Sequence, residues 1–288
     1  MRDDGKWFAV HHVAPEPMSR WGNRFGINTY SYTQSMSAVD CVCTLAEREV
    51  KSVELMFYPG HLWITDSLET LRDLGREMEQ AGVSLVSLNG PNIDVNIAAA
   101  TAEMRDYSIA LNVEYLRMAA ELNAKGLIIG PGKPNPLFSL PPDVMESHFF
   151  RALDTLLPIA ERDGIELWVE NMPFAFLPEA EALMACLDRY GADSIGVVYD
   201  VANAHFIGED AVAGLDRVRS RLSLVHLSDT GQTVYRHDPV GLGDVDFATV
   251  IPKIESLNLE RTPMLEIISR DPDHDIARSI ETLNAMEA

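Results

Sequence analysis

The feature that most constrains the fold is a regular alternation that starts at residue 25. A short apolar run rich in β-branched residues is followed by a polar loop and an amphipathic segment, and this cycle repeats eight times, as is typical of βα units. The predicted strands begin at Phe25, Ser52, Val83, Gly126, Glu166, Ile195, Leu222 and Pro263. No segment of linker composition interrupts the series. We therefore predict an N-terminal extension over residues 1–24 and one α/β domain, a closed (β/α)8 TIM barrel, over residues 25–288.

A doubly wound open sheet is the competing architecture for the same alternation. That fold normally has a glycine-rich turn after its first strand, where backbone amides bind a phosphate. The turn after the first predicted strand is NTYSYTQSMS and contains no glycine. The barrel is therefore the preferred prediction.

Charge and composition exclude several classes of partner. The chain of 288 residues has 44 acidic and 23 basic residues, which gives a formal net charge of -21. A surface of this sign repels the phosphates of nucleic acids and of anionic membranes. No apolar stretch approaches the roughly 18 residues of a membrane span, and no signal-peptide core is present. Three cysteines without metal-ligand spacing suit a reducing compartment, so we expect a cytoplasmic protein.

Ionisable side chains lie at the carboxyl ends of the last four predicted strands. They are Glu170, Asp200, His226 and Glu266. The carboxyl ends of the strands form the active-site face of a barrel, and neighbouring strand ends lie close together, so these side chains are expected to converge. Three carboxylates at one point repel one another, and a divalent cation would relieve that repulsion.

We accordingly expect one divalent metal ion per chain. Oxygen and nitrogen ligands without a thiolate favour Mn2+, our first choice, or Mg2+ or Co2+, and Zn2+ could compete with them. Taken singly, each carboxylate is better explained as a helix cap or an ion-pair partner, and His226 as a hydrogen-bonded core histidine. Those explanations need four coincidences at the same end of the barrel, so we prefer the metal site.

Other polar residues near the same face are candidates for binding a substrate. Glu54 is the charged residue of an otherwise apolar strand, and the loop that follows carries His61 and Trp63. The remaining candidates follow later strands and are Asn89, Asn203, His205, Arg236 and His237. For the loop residues a structural role is the alternative, with Trp63 packed on neighbouring loops, His61 exposed and Asn89 forming a turn.

With these residues in view, the chain resembles the sugar phosphate isomerase/epimerase superfamily of xylose isomerase-like TIM barrels, which includes ketose 3-epimerases and endonuclease IV. The motifs are ELWVENMP, VVYDVANAHFIGED, LVHLSDT, HDPVGLGDVDF and PMLEIIS. The resemblance implies that Glu170, Asp200, His226 and Glu266 bind one metal ion. It also implies that the two glutamates move the proton.

The chain departs from the ketose 3-epimerases at one substrate-binding position. Those enzymes usually have a histidine three residues after the aspartate ligand. This chain has Asn203 at that position and His205 two residues later. The identity of the sugar therefore stays open.

The residues and the resemblance together predict a metal-dependent isomerase or epimerase that moves a proton through a metal-bound enediolate. The alternative is a lyase or dehydratase that eliminates from a keto-sugar or keto-inositol at the same site. Non-catalytic sugar binding and an AP endonuclease are less favoured. Endonuclease IV needs extra histidines where this chain has Asn89 and Gly130.

The expected small-molecule partner is an uncharged sugar or keto-polyol. Arg236 and His237 lie in the long seventh loop, but Asp244 and Asp246 in the same loop would oppose an anion. We expect no nucleic-acid partner and no membrane partner, and a homo-oligomer is left open.

Overall fold

The structure, a computed structural model, describes residues 21–286 as a closed barrel of parallel strands. The strands are β1 (Gly26–Asn28), β2 (Ser52–Met56), β3 (Ser84–Asn89), β4 (Gly126–Ile129), β5 (Glu166–Glu170), β6 (Gly196–Asp200), β7 (Leu222–Leu227) and β8 (Met264–Leu265). They pair in chain order, and β8 pairs with β1 to close the sheet. The predicted TIM barrel is confirmed.

Helices cover the outside of the barrel. They are α1 (Ala38–Glu47), α2 (Leu68–Ala81), α3 (Ala102–Glu121), α4 (Pro142–Asp163), α5 (Ala180–Tyr190), α6 (Val201–Phe206), α7 (Ala211–Val218), α8 (Phe247–Ser256) and α9 (Pro272–Ala285). The side chains of Ser37 and Ser67 cap the first turns of α1 and α2. Glycines in the left-handed conformation, Gly82, Gly164 and Gly191, end α2, α4 and α5. Within residues 21–286, every helix is too short or too polar to span a bilayer.

The predicted N-terminal extension, residues 1–24, lies outside the described residues up to position 20. Trp21 is buried, and the Arg48 guanidinium lies 4.5 Å from the centre of its ring, a cation–π contact. Arg48 also forms an ion pair with Asp273, whose carboxylate accepts a hydrogen bond from the Tyr32 hydroxyl at 2.9 Å. These contacts join α9, the last helix, to the residue that follows α1.

A layer of apolar side chains fills the barrel interior. Its members are Val86, Ile128, Trp168, Val198, Leu224 and Met264. Because strand side chains alternate between the two faces, a residue two positions further along also points inward. For four of these residues that position is occupied by Glu170, Asp200, His226 and Glu266. The apolar layer therefore forms a floor under the predicted metal site.

Two irregularities in strand register occur beside these residues. The pairing of β2 with β3 skips Val86, so that Glu54 lies opposite Ser87. The pairing of β6 with β7 also shifts, and Asp200 lies opposite His226. Bulges of this kind often re-aim side chains next to active sites.

Candidate metal centre

Four buried side chains meet at the carboxyl end of the barrel. Glu170 and Asp200 end β5 and β6, His226 is the penultimate residue of β7, and Glu266 follows β8 directly. One ligand atom from each residue lies within 4.8 Å of those of the other three. The structure thus brings together the four residues that the strand ends predicted.

The imidazole of His226 lies at the centre of this cluster. Its Nδ1 atom is 3.1 Å from Glu266 Oε2, 3.3 Å from Glu170 Oε1 and 3.9 Å from Asp200 Oδ2. One ring nitrogen therefore faces three carboxylates.

Three atoms of the cluster are buried and have no hydrogen-bond partner among the described residues. They are Asp200 Oδ2, His226 Nδ1 and Glu266 Oε2. An unpaired buried polar atom costs about 1–3 kcal/mol. A divalent cation between them would accept a lone pair from each atom. Carboxylate oxygens with one imidazole nitrogen suit Mn2+, Mg2+, Co2+ or Zn2+, so the donor set fits a divalent metal ion.

Burial and mutual attraction shift the pKa values of this cluster. Burial raises the pKa of Glu170 to about 7 and the pKa of Asp200 to about 6. Burial also opposes the charged form of Glu266, but the neighbouring imidazoles outweigh it and lower the pKa of this group. Burial likewise disfavours the imidazolium of His226, yet the surrounding carboxylates raise its pKa well above the usual range. A metal ion would compete with the protons that these groups bind.

Two asparagines hold Asp200 in place. The Asn203 backbone N–H donates to Asp200 Oδ1 at 2.6 Å and so begins α6. The Asn171 side chain accepts from the Asp200 N–H at 2.7 Å and donates to the Asp200 carbonyl at 3.0 Å. Since Oδ1 is engaged in the helix cap, Oδ2 is the oxygen left to face the cluster.

A pocket with a cavity volume of about 160 Å³ opens onto the cluster. Of the four cluster residues, Glu170 and Glu266 line this pocket, whereas the aspartate and the histidine do not. Three residues predicted to bind a substrate, Asn89, Asn203 and His237, line it as well. The pocket therefore joins two carboxylates to a set of groups that can hydrogen-bond to hydroxyls.

The match to a family model extends over the barrel and the cluster. Residues 44–286 match the model described as a xylose isomerase-like TIM barrel. The chain belongs to this family. The predicted superfamily is thereby confirmed.

Solved structures of similar fold include sugar epimerases. A D-tagatose 3-epimerase-like protein is 20% identical with a TM-score of 0.79, and the match covers 91% of this chain and 96% of that one. For the 3-keto-D-glucoside 4-epimerase YcjR from E. coli the identity is 16% and the TM-score 0.76, over 91% and 99% of the two chains. The IolI protein with a bound zinc atom is 15% identical with a TM-score of 0.73, over 91% and 96%.

One relative by sequence matches most of the chain, but its own activity is uncharacterised. An uncharacterised protein of Methanocaldococcus jannaschii is 22% identical over 257 residues, which cover 86% of this chain and 85% of that protein. At these identities the similarities show a shared fold.

Several predicted substrate-binding residues do not line the pocket of this xylose isomerase-like barrel; they are Glu54, His61, Trp63, His205 and Arg236. His61 is buried, with one ring nitrogen 3.0 Å from the Thr29 hydroxyl and the other 2.8 Å from the Met36 carbonyl. Trp63 packs against the edge of Tyr115, with 6.0 Å between the ring centres. In the loop after β2, His61 therefore forms internal hydrogen bonds and Trp63 packs on a neighbouring ring.

The basic groups of the later loops face acidic or backbone partners. His205 Nε2 lies 2.5 Å from Asp244 Oδ1. The Arg236 side chain is 62% exposed, with a guanidinium nitrogen 3.9 Å from Asp238. Neither side chain lines the pocket. Glu54 lies elsewhere, fully buried in β2, with Oε2 3.1 Å from His226 Nε2.

The residues that line the pocket without having been assigned from the strand-end pattern include Tyr30, Asp94 and Tyr235. The Tyr235 hydroxyl donates to Asn203 Oδ1 at 2.6 Å and lies 2.8 Å from His237 Nε2. Tyr30 comes two residues after the end of β1. Tyr30 could have been predicted from the sequence, because it lies just beyond a predicted strand. Tyr235 lies within a long loop, where its position in the sequence gives no such signal.

Proposed function

We propose that this chain is a divalent-metal-dependent sugar epimerase or isomerase. The observation that supports this function best is that two of the four cluster residues also line the pocket and the other two do not. Two carboxylates, those of Glu170 and Glu266, both belong to the cluster and line the pocket, whereas Asp200 and His226 belong to the cluster alone. Two carboxylates in contact with both a metal and a substrate suit proton transfer at carbon.

Glu170, Asp200, His226 and Glu266 would hold the ion, with Mn2+ as the first choice and Zn2+, Mg2+ or Co2+ as alternatives. When bound, a divalent cation acts as a Lewis acid that polarises a substrate carbonyl and makes the neighbouring C–H group more acidic. The zinc atom of the IolI protein lies in a barrel of the same fold and supports a metal in this family.

The two glutamates move the proton in this proposal. One carboxylate removes the proton from the carbon beside the carbonyl, and the other carboxylic acid returns a proton on the opposite face, which inverts that carbon. If the first glutamate returns the proton to the adjacent carbon instead, the product is the isomeric aldose or ketose. Asn89, Asn203 and His237, which line the same pocket, would orient the sugar hydroxyls.

The lining favours an uncharged sugar or keto-polyol. Among residues 21–286, no lysine or arginine lines the pocket, and the Asp94 carboxylate does. Lys133 donates its ammonium protons to the backbone carbonyls of Asn92 and Ile93. A phosphate on the substrate would meet repulsion from Asp94 and find no lysine or arginine in the pocket lining.

The test is solvent proton exchange in deuterated water. The protein loaded with Mn2+ or Co2+ is incubated with a panel of unphosphorylated ketoses, and recovered sugars are analysed for deuterium and for new stereoisomers. We expect deuterium at one carbon in the wild type and none with E266Q. E209Q, the same substitution outside the pocket, serves as the control and should exchange normally.

Other products would change the assignment. A dehydrated product would favour the lyase alternative, because a β-hydroxyl can leave after the same first proton transfer. Absence of exchange with every sugar and every metal would contradict the enzyme and favour a binding protein. Exchange that persists in E266Q would remove Glu266 from the mechanism.

A further inference from the structure

Glu54 is a buried carboxylate whose hydrogen-bonding capacity is fully used inside the barrel. Oε1 accepts from Asn28 Nδ2 at 2.5 Å and from Asn89 Nδ2 at 3.2 Å, and Oε2 accepts from the Ser87 hydroxyl at 2.5 Å. The fourth neighbour is His226 Nε2, 3.1 Å from Oε2. A carboxylate offers roughly four lone-pair positions. None is left for a substrate or for direct binding of a metal ion.

This contact determines how His226 presents its ring. An ionised carboxylate only accepts, so Nε2 has to carry the hydrogen that it donates to Glu54. A neutral imidazole has a single N–H, and its lone pair then lies on Nδ1. Nδ1 is the atom that faces the cluster carboxylates and has no hydrogen-bond partner among the described residues. Glu54 therefore selects the tautomer that can bind a metal ion.

Asn28 connects the same carboxylate to a second cluster residue. Its Nδ2 group donates to Glu54 Oε1 and also lies 3.3 Å from Glu266 Oε1. The register shift that places Ser87 opposite Glu54 supplies another of the four hydrogen bonds. Strands β1, β2 and β3 thus support the side chains of β7 and of the residue that follows β8.

We propose that Glu54 is a positioning residue that orients His226, and through Asn28 also Glu266, for a divalent cation. This inference rests on the metal-dependent function proposed above. It differs from the substrate contact that the sequence predicted for Glu54. Outer carboxylates that hydrogen-bond to a histidine ligand typically change metal affinity by about 10- to 100-fold when they are replaced.

The test compares Co2+ binding by the wild-type chain and by E54Q, measured by calorimetric titration and by the visible absorption of the bound ion. The glutamine amide must direct an N–H either at the Asn28 and Asn89 donors or at His226 Nε2. We expect Co2+ affinity about 10- to 100-fold weaker than in the wild type. The Co2+ absorption spectrum should also change, because the orientation of the imidazole changes, and a purely structural role would leave that spectrum intact.

E209Q provides the matched control. Glu209 accepts hydrogen bonds from the Tyr199 hydroxyl and from the Ala180 backbone N–H, away from the cluster. This variant makes the same change from carboxylate to amide at another hydrogen-bonded glutamate. It should keep both the Co2+ affinity and the spectrum of the wild type.

Each outcome decides the proposal. Equal Co2+ affinity and an unchanged spectrum in E54Q would overturn it. A wild-type chain that binds neither Co2+ nor Mn2+ would overturn the metal-dependent function itself, and that failure is visible before any variant is made. If E54Q does not fold, S87A replaces it, because it removes one hydrogen bond to Glu54 and touches no cluster residue. S87A should bind Co2+ several-fold more weakly, and unchanged affinity would contradict the role of Glu54.

Discussion

Asp200 lies opposite His226 because the register of β6 and β7 shifts by one residue after Val197. Val197 pairs with Leu222, and an unbroken register would continue from there to place Asp200 opposite Val225. A slip of one residue in a strand reverses the face to which each side chain points. The irregularity therefore sets a carboxylate and an imidazole on the same inner face of the barrel.

Metal binding should stabilise the fold. The cluster leaves three buried polar atoms without hydrogen-bond partners among the described residues, and a cation would pair them. With free Mn2+ or Zn2+ at about 100 times its Kd, we expect the free energy of unfolding to rise by about 2.7 kcal/mol. Thermal unfolding of chelator-treated and reloaded protein measures this effect as an increase in Tm. H226A should show a smaller increase, and an identical Tm with and without metal in the wild type would contradict the site.

The metal-free protein should lose stability as the pH rises. The pKa values of Glu170 and Asp200, about 7 and about 6, are raised above their ordinary values of 4.5 and 3.8. At pH values between the unfolded and the folded pKa of each group, the folded state then binds more protons than the unfolded state. The contribution of the two carboxyl groups to the free energy of unfolding is complete below their unfolded pKa values. It is lost as the pH rises through their folded pKa values.

Urea unfolding of metal-free protein from about pH 5 to pH 8 measures this dependence. E170Q lacks one of the titrating groups and should show a shallower fall in the free energy of unfolding. Equal slopes in E170Q and in the wild type would show that Glu170 does not titrate in this range.

Removing the Tyr235 hydroxyl should weaken substrate binding. Its contacts with Asn203 and His237 fix two polar groups of the pocket lining. Y235F should raise KM by about fivefold, which corresponds to about 1 kcal/mol for a lost hydrogen bond, while Co2+ affinity stays unchanged. Y199F is the control, since the Tyr199 hydroxyl bonds to Glu209 outside the pocket. An unaltered KM in Y235F would mean that this hydroxyl does not organise the pocket.

Gly126→Ala should destabilise the barrel. A Cβ atom at this position would lie 2.6 Å from the ring of Trp168, which fills the interior floor. Overpacking of this kind costs about 1–3 kcal/mol. Gly75→Ala gives the opposite control, because Gly75 lies in α2 with nothing within 4 Å of the added carbon, and alanine favours a helix. Chemical denaturation of both variants tests the prediction, and equal stabilities would contradict it.

The strands and the four cluster residues could be predicted because each leaves a local mark in the sequence. Glu170 ends the run ELWVE, and Asp200 ends the run IGVVYD. A charged residue at the end of a buried strand is unexpected unless it has a partner or a function. Chain order then makes these strands neighbours in a barrel. The proximity of the two carboxylates therefore follows from pattern and topology together.

The rest of the site depends on contacts that no local pattern contains. Glu54 and His226 are 172 positions apart, and whether Glu54 faces a substrate or a histidine depends on which donors fill its other positions. His205 lies near the predicted active-site face, but its imidazole contacts Asp244 of the neighbouring loop and does not line the pocket. Loop side chains take their direction from tertiary packing, which the spacing of residues does not encode.

Within residues 21–286 the apolar layer lies beneath the cluster and the pocket opens onto it, so in the proposed function the ion and the sugar would share the pocket. A cation that enters through the pocket would meet Glu170 and Glu266, the cluster residues that line it, before it reaches His226. A sugar in the pocket would block that passage. In the proposed function, a cation that enters by this route would bind before the sugar and would stay bound until the product leaves.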